Sequence, residues 1–213
     1  MDKVNEIIQL MIKTLEKNNI KEELASPYIW KKYKDPLKVL ITIIISVRTK
    51  EEKTFEVSER FFNKFKSLDD IRSAKIDEIK EVLRDIGLYN QKAKWIKEIA
   101  DLWDYSRQCD EEFIRKLPGV GRKVANVYLS IVCNKEYIAV DSHVHRISNR
   151  IGIVSTKKPE QTEIELYKVI SKDYWRDINR LFVIFGRNIC KPINPKCEIC
   201  EVKKLCKYYK KNY

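Results

Sequence analysis

Four cysteines near the C-terminal end of the chain have the spacing Cys190-x6-Cys197-x2-Cys200-x5-Cys206. Thiolates this close in sequence can bind one tetrahedral metal ion or an iron–sulfur cluster. Zinc sites usually show two Cys-x2-Cys pairs, whereas single cysteines flank one pair here, yet residue chemistry alone leaves both centres open. Cys109 and Cys133 lie apart from this group in amphipathic stretches, and we expect them to be separate buried thiols.

A turn with two glycines, Leu117-Pro-Gly-Val-Gly121, is followed directly by Arg122 and Lys123. The glycines permit a sharp reversal between two helices and leave the first backbone amides of the second helix without partners. Those amides and the positive end of the helix dipole can bind a phosphate oxygen without reading base sequence. The alternative is a tight helical hairpin without a ligand, but the adjacent basic residues favour phosphate.

Lys123 and Asp141 are the residues that could carry covalent chemistry. A neutral lysine amine can attack C1′ of a sugar and form a Schiff base, which withdraws electrons during a β-elimination. A carboxylate can stabilise the positive charge on the sugar or accept the proton of the lysine. By residue type alone, a phosphate contact is the commoner role for Lys123, and a helix N-cap is the commoner role for Asp141.

The chain of 213 residues carries 43 Lys and Arg against 31 Asp and Glu, a formal net charge of +12. This excess favours a polyanionic partner because neutralised phosphates release counterions, although a solvated lysine-rich surface would give the same charge. No apolar run reaches the length of a membrane span, and the N-terminus lacks a signal-peptide pattern. We therefore expect a soluble cytoplasmic protein that binds nucleic acid.

The spacing of apolar residues predicts α-helix almost throughout, without a pair of alternating strands joined by a hairpin turn. Asp35 followed by Pro36 is typical of a helix start, and the apolar run from Leu37 to Val47 predicts a helix central to the core. The predicted fold class is all-α. Helical patterns cover residues 1–17, 37–47, 50–65, 76–86, 89–104, 111–116, 121–133, 142–150, 160–172 and 175–189.

Three stretches and the cysteine pattern occur together in an order that identifies a family. The stretches are Gly87-Leu-Tyr-Asn-Gln-Lys-Ala93, Leu117-Pro-Gly-Val-Gly-Arg-Lys-Val-Ala-Asn126 and Ala139-Val-Asp-Ser-His-Val-His-Arg-Ile-Ser-Asn-Arg150. From about residue 28 onward the chain resembles endonuclease III, a DNA glycosylase and abasic-site lyase. The resemblance implies a helix-hairpin-helix DNA glycosylase fold. A six-helix barrel domain over 28–135 would contain the hairpin, and 1–27 with 136–213 would form an iron–sulfur cluster domain.

The resemblance also implies an activity: base excision repair by a bifunctional enzyme that removes oxidised pyrimidines, such as thymine glycol, and cleaves abasic sites by β-elimination. Lys123 matches the position of the Schiff-base lysine of the family, and Asp141 matches that of its catalytic aspartate. The four cysteines match the ligands of a [4Fe–4S] cluster. The implied partner is double-stranded DNA with damaged bases or abasic sites, bound by a monomer.

Further residues are implied to contact DNA, because an enzyme that acts on a base must first flip its nucleotide out of the stack. Leu88 is the candidate wedge, and Arg48 is the candidate for filling the vacated space, where bacterial members usually carry glutamine. The alternatives are a satellite core leucine and a solvated arginine. The other implied DNA contacts are Gly119, Val120, Gly121, Arg122, Lys191 and Lys196, and the implied base-pocket residues are Ser46 and His143.

Three rival classes of protein share part of this pattern. Monofunctional glycosylases of the mismatch adenine or thymine type share the fold and cluster but lack lysine at the position of Lys123. A noncatalytic helix-hairpin-helix protein would keep the glycines and need neither Lys123 nor Asp141. The 8-oxoguanine branch keeps a lysine but generally lacks the four-cysteine centre. The expected location is the cytoplasm of a prokaryote, in association with the nucleoid.

Overall fold

The computed structural model describes residues 3–212, and in that range it contains α-helices and 3₁₀ turns but no β-strand, which confirms the all-α fold class. Also within this range, no helix combines the length and apolar character needed to cross a membrane. The helices are α1 (Lys3–Lys17), α2 (Ala25–Tyr33), α3 (Pro36–Ser46), α4 (Glu51–Lys64), α5 (Leu68–Ser73), α6 (Ile76–Leu83), α7 (Tyr89–Leu102), α8 (Glu111–Lys116), α9 (Arg122–Val132), α10 (Ser142–Ile151), α11 (Pro159–Val169), α12 (Trp175–Asn188) and α13 (Lys207–Asn212). The 3₁₀ turns are Tyr105–Arg107, Lys172–Tyr174, Cys197–Ile199 and Glu201–Lys204.

Every helical range predicted from the apolar spacing contains a helix, with ends shifted by a few residues. The first two residues of the predicted range 1–17 lie outside the described residues. Helices α2, α5 and α13 were not predicted. Pro27 interrupts the apolar pattern of α2 but is tolerated in its first turn, where its missing N–H has no helical partner to lose. Helices α5 and α13 have 6 residues each and carry no apolar stripe, since α5 buries only Ile71 and α13 buries none of its residues.

The chain divides into two compact units. The central unit runs from Glu23 to Lys135 and holds α2 to α9. The terminal unit combines the residues up to Glu22 with those from Glu136 onward and holds α1 and α10 to α13. In the terminal unit, α10 packs against α11, α12 and α13, and α1 packs against α12.

Helix α3 forms the core of the central unit because nearly all of its side chains are buried, including every residue from Val39 to Ile45. It begins as predicted, since Oδ1 of Asp35 accepts hydrogen bonds from the amides of Leu37 at 2.9 Å and Lys38 at 3.3 Å. Helices α2, α4, α7 and α9 pack around it. The end of α3, the start of α7 and helix α9, which carry candidate site residues, are therefore positioned by one buried helix.

Candidate active site

The hairpin loop, residues Leu117–Gly121, connects α8 to α9 as predicted. The amide of Val120 donates to the carbonyl of Leu117 at 3.1 Å, which closes the turn. Gly119 has a φ of +74°, and a Cβ atom there would lie 2.5 Å from Cδ2 of Trp95. Only glycine fits at this position, because both the backbone conformation and the Trp95 ring exclude a side chain.

Gly121 is the N-cap residue of α9 and, as a glycine, supplies no side chain to cap the first amides of this helix. A Cβ atom on Gly121 would meet nothing within 4 Å, so the backbone is open to an approaching group. Val120 is buried beneath the turn, and Arg122 is exposed beside it. Amide donors at the positive end of a helix dipole suit a phosphate oxygen.

Lys123 is the second residue of α9 and is half-buried. Within the central unit its amine has no hydrogen-bond or ion-pair partner. The amine therefore lies near the N-terminus of α9, and no carboxylate of the central unit is paired with it. A lysine in this setting can contact phosphate, or, when neutral, attack a sugar carbon.

Cys109 and Cys133 form a disulfide with 5.6 Å between their Cα atoms, so the prediction of separate buried thiols is wrong. Cys109 is exposed and Cys133 is half-buried. Because α8 and α9 pack together as a hairpin, the residues just before α8 and just after α9 meet at the same end. At that end the hydroxyl of Tyr128 also donates to the carbonyl of Gln108 at 2.9 Å. The end of the hairpin opposite its loop is therefore closed covalently.

Arg48 and Leu88, the two residues predicted to enter the DNA stack, are both exposed. Arg48 lies in the loop Val47–Lys50 between α3 and α4, and Leu88 is the N-cap residue of α7. The side chain of Leu88 is 44% exposed, so Leu88 is not a core leucine. Both backbones are left-handed, with φ of 52° for Arg48 and 62° for Leu88, which is uncommon for residues other than glycine and often marks a functional position.

Asp141 is the N-cap residue of α10, since its Oδ1 accepts hydrogen bonds from the amides of His143 and Val144, both at 2.9 Å. The carboxylate is half-buried and is fixed by the helix that it caps. An N-cap role and a catalytic role are compatible here because the same hydrogen bonds hold the carboxylate in one orientation. Asp141 belongs to the terminal unit, whereas Lys123 belongs to the central unit.

The two predicted base-pocket residues also belong to different units. Ser46 ends α3, and its hydroxyl donates to the carbonyl of Ile43 at 2.7 Å. His143 lies in the first turn of α10, with its Nδ1 at 3.3 Å from Nη2 of Arg146. A methyl group on Gly186 would overlap the His143 ring, so the ring packs directly on α12. The role of both residues in a base pocket stays a prediction.

The four C-terminal cysteines are free thiols, and all of them line one cavity in the terminal unit. Burial raises the pKa of the Cys190 and Cys197 thiols, and it raises the pKa of Cys200 to about 12. Nη1 of Arg150 lies 3.9 Å from Sγ of Cys190. Within residues 3–212, no three or more Cys, His, Asp or Glu side chains are placed to hold a metal ion together. The donor set, four sulfurs beside a guanidinium, is chemically suited to an anionic iron–sulfur cluster.

The segment between the first two of these cysteines is held by Arg150 of α10. Its Nη1 donates to the carbonyl of Lys191 and its Nη2 to the carbonyl of Pro192, both at 2.6 Å. The side chains of Lys191 and Lys196 are exposed. This basic loop, residues Lys191–Lys196, is thus fixed through its backbone, while its lysines remain accessible to phosphate.

Lys92 is a residue that sequence reasoning did not single out. Its side chain is 0% exposed, and its amine donates to the carbonyl of Ile45 and to the hydroxyl of Thr49. The available signal is the position of Lys92 on the apolar stripe of α7, which continues through Ile96 and Ile99. A lysine on a buried stripe needs a specific partner, but the stripe does not identify that partner.

Comparisons with known proteins agree with this arrangement. Residues 41–172 match the family described as HhH-GPD superfamily base excision DNA repair protein. The chain is 41% identical to endonuclease III of Thermotoga maritima over 199 residues, which cover 89% of this chain and 93% of the other. A trapped covalent intermediate of endonuclease III with DNA has a TM-score of 0.85 at 30% identity and covers 98% and 96% of the two chains. A thermostable thymine-DNA glycosylase has a TM-score of 0.80 at 28% identity and covers 99% and 100%.

Proposed function

The chain belongs to the endonuclease III family of DNA glycosylases and abasic-site lyases within the HhH-GPD superfamily, and we propose that it removes oxidised pyrimidines, such as thymine glycol, from duplex DNA and then cleaves the abasic strand. The position of Lys123 supports this activity. Its amine is unpartnered within the central unit and lies in the first turn of α9, directly after the open Gly121. The nucleophile and the phosphate anchor are therefore adjacent in the chain.

In this proposal the neutral amine of Lys123 attacks C1′ of the damaged nucleotide. The bond from C1′ to the base breaks, and its electron pair leaves with the base, which takes up a proton. The sugar ring then opens as nitrogen loses a proton, which gives a Schiff base. The Schiff base withdraws electrons while a proton leaves C2′ and the bond from C3′ to the phosphate oxygen breaks. Hydrolysis finally releases Lys123 and leaves a nicked strand.

Asp141 is proposed to stabilise the positive charge that develops on the sugar as the base departs, or to accept the proton that Lys123 gives up. Support comes from its two hydrogen bonds to α10, which hold the carboxylate in one orientation. A preoriented carboxylate needs no rearrangement when charge appears on the sugar. Substituting Asp141 should therefore slow base release more than it weakens DNA binding.

DNA binding is proposed to use backbone groups and exposed cations, by a monomeric enzyme. The amides of the hairpin loop bind one phosphate, with Arg122 beside them, and Lys191 and Lys196 bind the strand from the terminal unit. Leu88 enters the opened stack, and Arg48 fills the space of the flipped nucleotide. Ser46 and His143 are proposed to line the base pocket. The roles of Arg48 and Leu88 are supported by the exposure of Arg48 in the Val47–Lys50 loop and of Leu88 at the start of α7.

A [4Fe–4S] cluster is proposed on Cys190, Cys197, Cys200 and Cys206. The support is that these four free thiols line one cavity and that a guanidinium lies beside Cys190. When bound, the cluster would cross-link the segment after α12 and so fix the basic loop. Iron and acid-labile sulfide at about four atoms of each per chain would agree with this assignment, whereas one zinc per chain would contradict it.

The proposed activity is tested by comparing Lys123→Ala with wild type on duplexes that contain an abasic site. Strand cleavage should fall by several orders of magnitude, while affinity for a duplex with a stable abasic analogue should change little. Lys94→Ala is the matched control, because Lys94 is an exposed lysine elsewhere in the central unit. Loss of binding in step with cleavage would mean that Lys123 is only a phosphate contact.

A further inference from the structure

Lys92 is a fully buried cation without an acidic partner. The side chain is 0% exposed, and none of the carboxylates in residues 3–212 lies within ion-pair distance of its amine. Burial lowers the pKa of Lys92 to about 8. Because an unpaired charge in a protein interior is unfavourable, a lysine at this position requires an explanation.

The amine of Lys92 donates hydrogen bonds to residues on both sides of Arg48 in the chain. It donates to the carbonyl of Ile45 in the last turn of α3 at 2.8 Å and to Oγ1 of Thr49 at 2.9 Å. The hydroxyl of Thr49 in turn donates to the carbonyl of Val47 at 3.3 Å. The side chain of Lys92 therefore supplies a donor that the last turn of α3 lacks and fixes the peptide groups around Arg48.

Lys92 lies in the first turn of α7, directly after the loop that holds Leu88. Its amide donates the first helical hydrogen bond of α7 to the carbonyl of Leu88 at 2.9 Å. The two loops also touch directly, since a Cβ atom on Gly87 would lie only 3.3 Å from the carbonyl oxygen of Arg48. The side chain of Lys92 is thus bonded to the segment around Arg48, while its backbone lies in the first turn of the helix that Leu88 caps. Arg48 and Leu88 both have left-handed backbones.

We propose that Lys92 is a positioning residue that holds the Arg48 and Leu88 loops at a fixed separation, so that both side chains enter the opened duplex together. The inference rests on the proposed function and deepens it. Through Arg48 and Leu88, Lys92 would affect the opening of the duplex and the flipping of the nucleotide. It would take no part in the attack by Lys123. An error of about 1 Å in the position of an inserting group can lower a rate by about 100-fold.

The test separates duplex opening from lyase chemistry. Lys92→Met removes the donors while keeping an unbranched side chain in the interior. Cleavage at an abasic site is measured in single turnover on a duplex and on the same strand without its complement, which has no stack to open. A second readout is the fluorescence of 2-aminopurine beside the lesion, which rises when the stack opens. Lys94→Met, an exposed lysine on the same helix, is the matched control.

We expect Lys92→Met to slow duplex cleavage by about 10- to 100-fold and to reduce the 2-aminopurine signal, with a much smaller effect on the single strand. Equal losses on both substrates, or no loss on either, would overturn the inference. Arg48→Ala and Leu88→Ala should show the same selective loss on the duplex. A wild type inactive on both substrates would overturn the proposed lyase instead, and the 2-aminopurine signal would still decide the role of Lys92.

Thr49→Val tests the same hydrogen bonds if Lys92→Met does not fold. This variant preserves the shape of the side chain and removes the hydroxyl that links Lys92 to Val47. A selective loss on the duplex in the same direction, smaller than that of Lys92→Met, is expected. The absence of any difference between duplex and single strand in Thr49→Val would overturn the inference.

Discussion

Cys109 and Cys133 are joined by a disulfide, which encloses helix α8, the hairpin loop and the Lys123 segment in one covalent ring. A cross-link of this kind stabilises the folded state mainly by restricting the unfolded chain, typically by about 2–4 kcal/mol. Reduction, or the double substitution Cys109→Ser with Cys133→Ser, should therefore lower the unfolding temperature by roughly 5–15 °C, measured by circular dichroism. A reductant should not affect the double variant further. Equal unfolding temperatures for oxidised and reduced wild type would contradict the role of this bond.

The two glycines of the hairpin loop should respond differently to alanine. Gly119→Ala forces a side chain into a left-handed backbone and against Trp95, so we expect a loss of about 1–3 kcal/mol in the free energy of unfolding. Gly121→Ala places its methyl group in open space, so its loss of stability should be smaller, at most about 1 kcal/mol for alanine at an N-cap. That methyl group would occupy the proposed phosphate site, and duplex affinity should fall by about tenfold. Wild-type affinity in Gly121→Ala would contradict the assignment.

Lys92 should give the central unit a distinctive dependence on pH. Burial lowers its pKa from 10.5 to about 8, so between these values the unfolded chain binds more protons than the folded chain. Stability due to this group therefore rises as pH rises through that range. The difference in unfolding free energy between wild type and Lys92→Met should increase in favour of wild type by on the order of 1–3 kcal/mol. Urea titrations across the range measure it, and a constant difference would contradict the shifted pKa.

Much of this arrangement could be predicted from local sequence. Asp35 and Pro36 mark the start of α3 because capping and proline chemistry act within one helical turn. The glycines of the hairpin loop are similarly informative, since Gly119 occupies a backbone conformation that disfavours other residues. The cysteine spacing indicates a shared centre, because its members are close in the chain.

Other features depend on contacts between residues that are distant in the chain. The disulfide joins cysteines separated by 24 residues, and the amine of Lys92 reaches a carbonyl 47 residues away. Each contact exists because helices pack together, α8 on α9 and α3 on α7. Periodicity shows which face of a helix is buried, but it does not show which residue that face meets.

The four C-terminal cysteines should determine the stability of the protein as well as its iron content. Cys200→Ala removes one of the four thiols that line the shared cavity, and it should abolish the broad visible absorbance of an iron–sulfur cluster. Because cluster binding is coupled to folding of the surrounding segment, the unfolding temperature should fall by more than about 5 °C. Cys109→Ser is the control for absorbance and iron content only, because Cys109 lies outside this group and loss of its disulfide lowers the unfolding temperature by itself. Full iron content in Cys200→Ala would contradict the ligand assignment.

Borohydride reduces a Schiff base to a stable covalent bond, so it shows whether Lys123 forms such an intermediate with DNA. Wild type and Lys123→Ala are incubated with duplexes that carry one thymine glycol or one abasic site, and covalent adducts are separated by mass. We predict an adduct on both substrates with wild type and none with the variant. An adduct that persists in Lys123→Ala, or no adduct with wild type on either substrate, would show that Lys123 does not form the Schiff base.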